Sequence, residues 1–278
     1  MALARRPEIV AWVLLAPATI YLVILFVAPL VQVLILSFTD PKVSTAHFVR
    51  VFTAPLYLRT LGVTFQAAFT VTVACLLLAY PLAYVMARVK GRLGIILLAI
   101  VGISFWTSFL VRTYSWLIIF GNRGPIAALY ETMGWGEMPR LLFTAFASTM
   151  GMTHLMLPYM VMALYAVMSR IEDNYVRAAH SLGATPFAAF RTVYFPLSLP
   201  GVINGSLLVF AIVMGFYVTP QLLGSPQSRM ISQIVAEQVQ DLLAWGFASA
   251  LAVVLLVATG IVIGIYNRVA GLDRLWGD

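Results

Sequence analysis

Six apolar stretches, each at or above the roughly 20 residues a helix needs to cross a bilayer, leave this chain little choice of fold. They run over about 9–38, 63–87, 93–120, 142–168, 202–223 and 245–269, with polar connections between them. Inside hydrocarbon every backbone N–H and C=O must be satisfied within the protein, which only helices and closed barrels achieve. A barrel would show ten-residue segments of alternating polarity, and the sequence has none. The expectation is an all-α integral membrane protein of six transmembrane helices, forming one domain over 1–278. Charged residues make up 10% of the chain. Soluble proteins carry about 25%, so this is too few for a soluble surface of this size.

Arg5 and Arg6 precede the first stretch in the layout of a signal peptide. The stretch is about twice the 7–15 apolar residues of a cleaved signal, so it reads as an uncleaved span with a cytoplasmic N-terminus. Arg88-Val89-Lys90-Gly91-Arg92 places three cations directly after the second stretch and marks the cytoplasmic side. Six spans then put both termini inside. Ten basic residues fall on that side (5, 6, 88, 90, 92, 170, 177, 191, 268, 274) and six outside (42, 50, 59, 123, 140, 229). Two short outer helices are expected, at 126–133 after Gly124-Pro125 and around 231–242.

Other functions are constrained by what the residues cannot do. Cys75 is the single cysteine, and His47, His154 and His180 are scattered, so neither a disulfide nor a metal site is expected. The net charge of +7 is spread over short loops and suits anionic lipid headgroups, not nucleic acid. There is no Gly-x-x-x-x-Gly-Lys-Ser/Thr loop, so the chain is not expected to hydrolyse ATP by that chemistry. His154 and Ser148 are the nearest approach to an intramembrane catalytic pair, and a lone buried histidine is more often a structural hydrogen-bonder.

The long polar segment 169–201 lies on the cytoplasmic side of this topology. Ser169-x-x-Glu172 has capping-box spacing and predicts a helix from about Arg170, with Ile171, Tyr175, Ala178, Ala179 and Leu182 at helical intervals. Gly183 suits the left-handed residue that ends it. Thr185-Pro186 reads as cap and first turn of a second helix bearing Phe187, Phe190 and Val193. Pro196 and Pro200 are expected to break the chain before the fifth span. Two short helices with small residues on one and phenylalanines on the other admit two readings: an amphipathic element on headgroups, or a surface for a partner protein.

Ala178-Ala179-x-x-Leu182-Gly183-Ala184, followed by Phe195-Pro196-Leu197-x-Leu199-Pro200-Gly201, resembles the EAA loop of ABC importer permeases. Trp106 to Trp116, Gly124-Pro125-Ile126, Leu157 to Val161 and Phe216 to Gly224 are similar to signatures of the spermidine/putrescine-type permeases, in particular their B-type subunit. The resemblance covers essentially the whole chain. It implies a type I importer permease fold in the bacterial inner membrane. It also implies a second permease subunit, two copies of a cytoplasmic ATP-binding subunit that carry ATP and Mg, and a periplasmic solute-binding protein; this chain itself would bind no cofactor. By the same resemblance Tyr175, Arg177, Ala178, Ala179, Leu182, Gly183, Ala184, Phe187 and Phe190 would couple to the ATPase. Arg177 stands where the family's glutamate would be, reversing the charge.

Arg112 is the one charge inside a predicted span and sits among Thr107, Ser108, Thr113, Tyr114 and Ser115. A cation at a helix centre in hydrocarbon costs at least about 2.5–3.5 kcal/mol, so it either lines a pathway or positions helices. The resemblance adds Phe216, Tyr217, Thr219 and Gln221, with Arg112 and Tyr114, as residues of the translocation pathway or outer gate. No Asp or Glu lies inside a predicted span. That weighs against the alternative function, an ion-coupled secondary transporter. A polyamine site in this subunit would want carboxylates or an aromatic cage, so the subgroup's name does not carry over as the substrate; the resemblance implies a small polar solute, polyamine-like or a related nitrogenous or organic compound.

Overall fold

The computed structural model describes residues 7–89 and 91–270, and every regular element among them is helical. Arg5, Arg6, Lys90 and Arg274 of the charge count lie outside the described residues. The helices are α1 (Pro7–Leu22), α2 (Ala28–Thr39), α3 (Ala46–Thr53), α4 (Pro55–Arg88), α5 (Arg92–Trp106), α6 (Phe109–Ile119) and α7 (Pro125–Thr132). They continue as α8 (Ala145–Met168), α9 (Asp173–Ser181), α10 (Pro186–Ala189), α11 (Phe195–Met214), α12 (Val218–Leu223), α13 (Ile231–Gln240) and α14 (Trp245–Ala270). Among the described residues five helical runs are long and apolar enough to cross a membrane, and a sixth is counted if α5 and α6 form one broken span.

Three departures from the sequence expectation have local causes. The stretch 93–120, expected as one straight helix, is α5 and α6 meeting at a 94° bend. Thr107 and Ser108 take extended ψ values of 126° and 132° there, ending one helix before the next begins. The fifth span does not start at 202 after a proline break. Helix runs without interruption over Pro186–Met214, then stops at Gly215, so the expected end at 223 falls in the separate α12. Pro196 is accommodated by a π turn, Phe190–Tyr194, whose closing bond runs from the Phe195 N–H to the Phe190 carbonyl. The wider turn removes the clash between a proline ring and the carbonyl four residues back. The same device, Val23–Val27 with the Ala28 N–H bonded to Val23, precedes Pro29 and joins α1 to α2.

The described residues divide into two compact units, one from 7–58 with 234–257 and the other from 59–233 with 258–270. In the first, Asp40 Oδ2 accepts from the Gly246 N–H (2.8 Å), and the Arg50 guanidinium lies 4.4 Å from the Phe247 ring centroid. The described side chains of α1 and α2 are almost all exposed, an apolar surface suited to hydrocarbon.

The second unit is built on α8, which is half buried along its spanning window. Its main partner is α11, and Gly201-x-x-x-Gly205 makes their close approach possible. A Cβ at 201 would stand 3.3 Å from Leu164 Cα and 3.1 Å from Val167 Cβ; one at 205 would stand 2.7 Å from Met160 Sδ. With lipid as apolar as the helices, such close packing replaces the hydrophobic drive for association. Gly201→Leu is expected to cost about 1–3 kcal/mol by overpacking, against backbone that cannot yield. The measurement is the thermal midpoint of the detergent-purified protein. The same change at exposed Gly62, where nothing lies within 4 Å, should leave the midpoint in place.

Candidate functional site: a two-helix knob and a polar knot

The knob starts later than its capping-box spacing suggests. Ser169 ends α8 instead, and Glu172 is the N-cap position, making no side-chain cap bond. What favours the start of α9 is Asp173, an acidic residue in the first turn, where the helix dipole stabilises it. The far end follows the sequence closely. Gly183 has φ +86°, its N–H bonds to the His180 carbonyl (2.9 Å) and the Ala184 N–H to the Ala179 carbonyl (3.0 Å). This pair of bonds satisfies the last carbonyls of α9 and requires a left-handed residue at 183. Thr185 Oγ1 then accepts from the Ala188 N–H (3.2 Å) and Pro186 opens α10, which leads straight into α11.

Of the residues expected to couple, Tyr175, Arg177, Ala178, Leu182, Gly183 and Phe187 are exposed together on this knob. Leu182 and Phe187 are 89% and 72% exposed, so the knob presents two large apolar side chains close together in sequence. Ala179 and Ala184 are half-buried. Phe190, also half-buried, points the other way: its ring meets Tyr80 and Tyr84 edge-on (6.2 and 6.0 Å) and stacks on Tyr194 (5.9 Å). It roots the knob instead of presenting it.

That root contains residues the sequence reading passed over. Arg88, taken only as a topology marker, donates from Nη1 to Asp173 Oδ1 at 2.9 Å, and its guanidinium lies 4.8 Å from the Tyr194 ring. Tyr80 Oη and Ser198 Oγ are 2.8 Å apart. Residues some 85 to 118 positions apart meet here, and no local pattern announces them.

The residues expected to line the pathway lie on α6, on α12 and in the turn before α12. Thr113 Oγ1 and Thr219 Oγ1, both fully buried, are 3.1 Å apart and join α6 to α12. Gln233 Nε2 donates to Gln221 Oε1 (2.7 Å), and Ser232 Oγ to the Phe216 carbonyl (2.6 Å), fixing α12 and the turn before it to the start of α13. Arg112 reaches back across the bend: Nη2 donates to the Thr107 carbonyl at 3.1 Å, supplying a partner that the end of α5 lacks. Tyr114 and Tyr217 are exposed. His154 Nδ1 accepts from the Trp116 indole N–H (3.1 Å), the arrangement of a structural histidine. Among the described residues no group of three His, Cys, Asp or Glu is placed to hold a metal ion.

The described chain is helical and apolar, with an exposed two-helix knob between two of its long spans. Comparison with known proteins names the class. Residues 79–270 match the family of binding-protein-dependent transport system inner membrane components, and the chain belongs to it. It is 31% identical over 219 residues to the spermidine/putrescine transport system permease protein PotB of Escherichia coli (strain K12), covering 78% of this chain and 80% of that protein. It is 32% identical over 250 residues to the molybdenum transport system permease protein ModB of Mycobacterium bovis, covering 88% and 90%. In fold it is similar to a chain of the bacterial ABC transporter involved in import of the acidic polysaccharide alginate (TM-score 0.73, 16% identity, 96% of each chain). It also resembles a chain of the MetNI methionine ABC transporter (TM-score 0.60, 16% identity, 78% and 95%). The chain is thus a multi-pass permease subunit of an ABC importer, a transport component and not an enzyme.

Thr219→Val should remove the buried hydroxyl pair at a cost of about 1 kcal/mol. Tyr217→Ala, on an exposed side chain, should stay within about 0.5 kcal/mol. Thermal unfolding in detergent, followed by intrinsic fluorescence, compares the two.

Proposed function

We propose that the knob formed by α9 and α10 is the seat of a separate ATP-binding subunit, and that this permease passes a small polar solute delivered by a periplasmic binding protein. The observation that carries the docking reading is the joint exposure of Tyr175, Leu182 and Phe187 on a knob whose turn between α9 and α10 is fixed by the caps at Gly183 and Thr185. Arg170, Arg177 and Arg191 are exposed around them. The partner's groove therefore offers an apolar socket with carboxylates at its rim, and Arg177 meets one of these in place of the family glutamate.

The full assembly in this reading has a second permease, two ATP-binding subunits holding ATP and Mg, and the binding protein. The whole chain acts as one permease domain, with both termini and the knob on the cytoplasmic side. Tyr114, Phe216, Tyr217, Thr219, Gln221 and the Arg112 that fixes their helices belong to the outer part of the pathway. For the solute, the relation to PotB over most of the chain supports a polyamine-like or related nitrogenous compound. The described spans contain no Asp or Glu, so the ammonium groups would meet aromatic faces and backbone or amide oxygens in this subunit.

Exchanging charges and apolar residues across Tyr175 to Phe187 should abolish co-purification of the ATP-binding subunit while leaving the permease in the membrane fraction. Undiminished co-purification would overturn the docking reading. Mass spectrometry of the ligand carried by the cognate binding protein tests the solute class. A polyamine or related amine is expected, and an oxyanion such as molybdate would overturn it.

A further inference from the structure

We propose that Arg88 is a positioning residue that fastens the docking helix α9 to the inner end of α4, so that a displacement of α9 reaches a third spanning helix. The inference rests on the docking reading and goes beyond it, naming the part that carries the displacement into the bundle. Along the backbone α9 is joined to α8 through 169–172 and to α11 through α10 and the π turn. Nothing in the backbone ties it to α4. Arg88, the last residue of α4, supplies that tie by donating to Asp173, the first residue of α9, at 2.9 Å. A cation at the C-terminus of one helix and an anion at the N-terminus of the other each complement the local dipole.

The pair is partly exposed, at 30% and 35% of the two side chains, so its strength in isolation is modest. Its geometry distinguishes it. The same guanidinium that reaches Asp173 lies 4.8 Å from the Tyr194 ring and 5.5 Å from the Tyr84 ring. A planar guanidinium can donate to a carboxylate along its edge while its flat face lies against a ring, covering more of the ring than a compact lysine ammonium does. Arg88 therefore joins three parts: α4 through Tyr84 and its own backbone, α9 through Asp173, and the π turn at the root of α11 through Tyr194. A second fastening holds α4 to α11 without α9, namely the Tyr80–Ser198 bond and the Phe190 ring between Tyr80 and Tyr84. Loss of Arg88 should remove this tie between α9 and α4 and leave that packing intact.

The test uses the assembled importer with Arg88→Ala, Arg88→Lys, and Arg88→Asp combined with Asp173→Arg. For each, co-purification of the ATP-binding subunit is measured, and its ATPase rate with and without the cognate binding protein. Arg88→Ala should retain the ATP-binding subunit but lose about tenfold of the stimulation by binding protein, the scale of a coupling mutation. The exchanged pair should recover much of that loss, having the ion pair without the stacking, and Arg88→Lys should fall between parent and alanine. Rescue by the exchange is a result that mere loss of packing would not give. Parent-like stimulation in Arg88→Ala, or an exchanged pair no better than Arg88→Ala, would overturn the proposal. If Arg88→Ala does not assemble, Arg88→Lys decides: reduced stimulation supports the stacked clamp, and parent-like stimulation overturns it. A parent complex that carries no ATP-binding subunit would instead overturn the docking reading beneath it.

Discussion

Hydrocarbon allows no unpartnered backbone amide, and most of this structure answers to that constraint. Where the helices are regular the constraint is met by the helix itself. Where they are not, a specific device is present. Two π turns lie just ahead of Pro29 and Pro196, and Arg112 covers the Thr107 carbonyl at the bend between α5 and α6. Ser and Thr hydroxyls such as Thr64, Thr72 and Thr113 bond back to carbonyls of their own helices. Arg112 thus combines two costs that partly offset each other, a cation at the membrane and a carbonyl without its helical partner.

The same constraint explains what could be read from the chain in advance. Span number and the position of the polar knob depend on runs of apolar residues, and these are local. So are the caps: Gly183, Thr185 and Pro186 act within four residues of themselves, and the structure places them as their chemistry suggests. The failures come from rules that tertiary packing overrides. Ser169-x-x-Glu172 has the spacing of a helix start but lies at the end of α8, because the apolar pattern carries that helix to Met168. Pro196 and Pro200 look like breakers and are absorbed into one helix from 186 to 214. Phe190 looks like part of the exposed face and is turned inward by the π turn that follows Ala189. Arg88, a topology marker by sequence, carries a contact 85 residues away that no spacing rule encodes.

Family membership and fold make the chain a permease subunit; the knob describes how such a subunit would be driven. Its outer side is exposed, apolar and basic, while its root is aromatic and ion-paired. A face that takes up a partner and a root that is fixed to several helices are what transmission of movement across a membrane requires. Beyond the far end of α11, α12 is held by hydroxyl and amide bonds to α6 and α13, and carries exposed Gln221, with exposed Tyr217 just before it.

The central claim, that the knob meets a protein and not the headgroup layer, is open to one direct measurement. Cys75, the only cysteine of the sequence, is fully buried, so Leu182→Cys creates a single accessible thiol at the tip of the knob. A short thiol-to-amine cross-linker applied to membranes of the native host should give an adduct with an ATP-binding chain. An unadducted permease whose thiol reacts only with lipid-phase reagents would contradict the account.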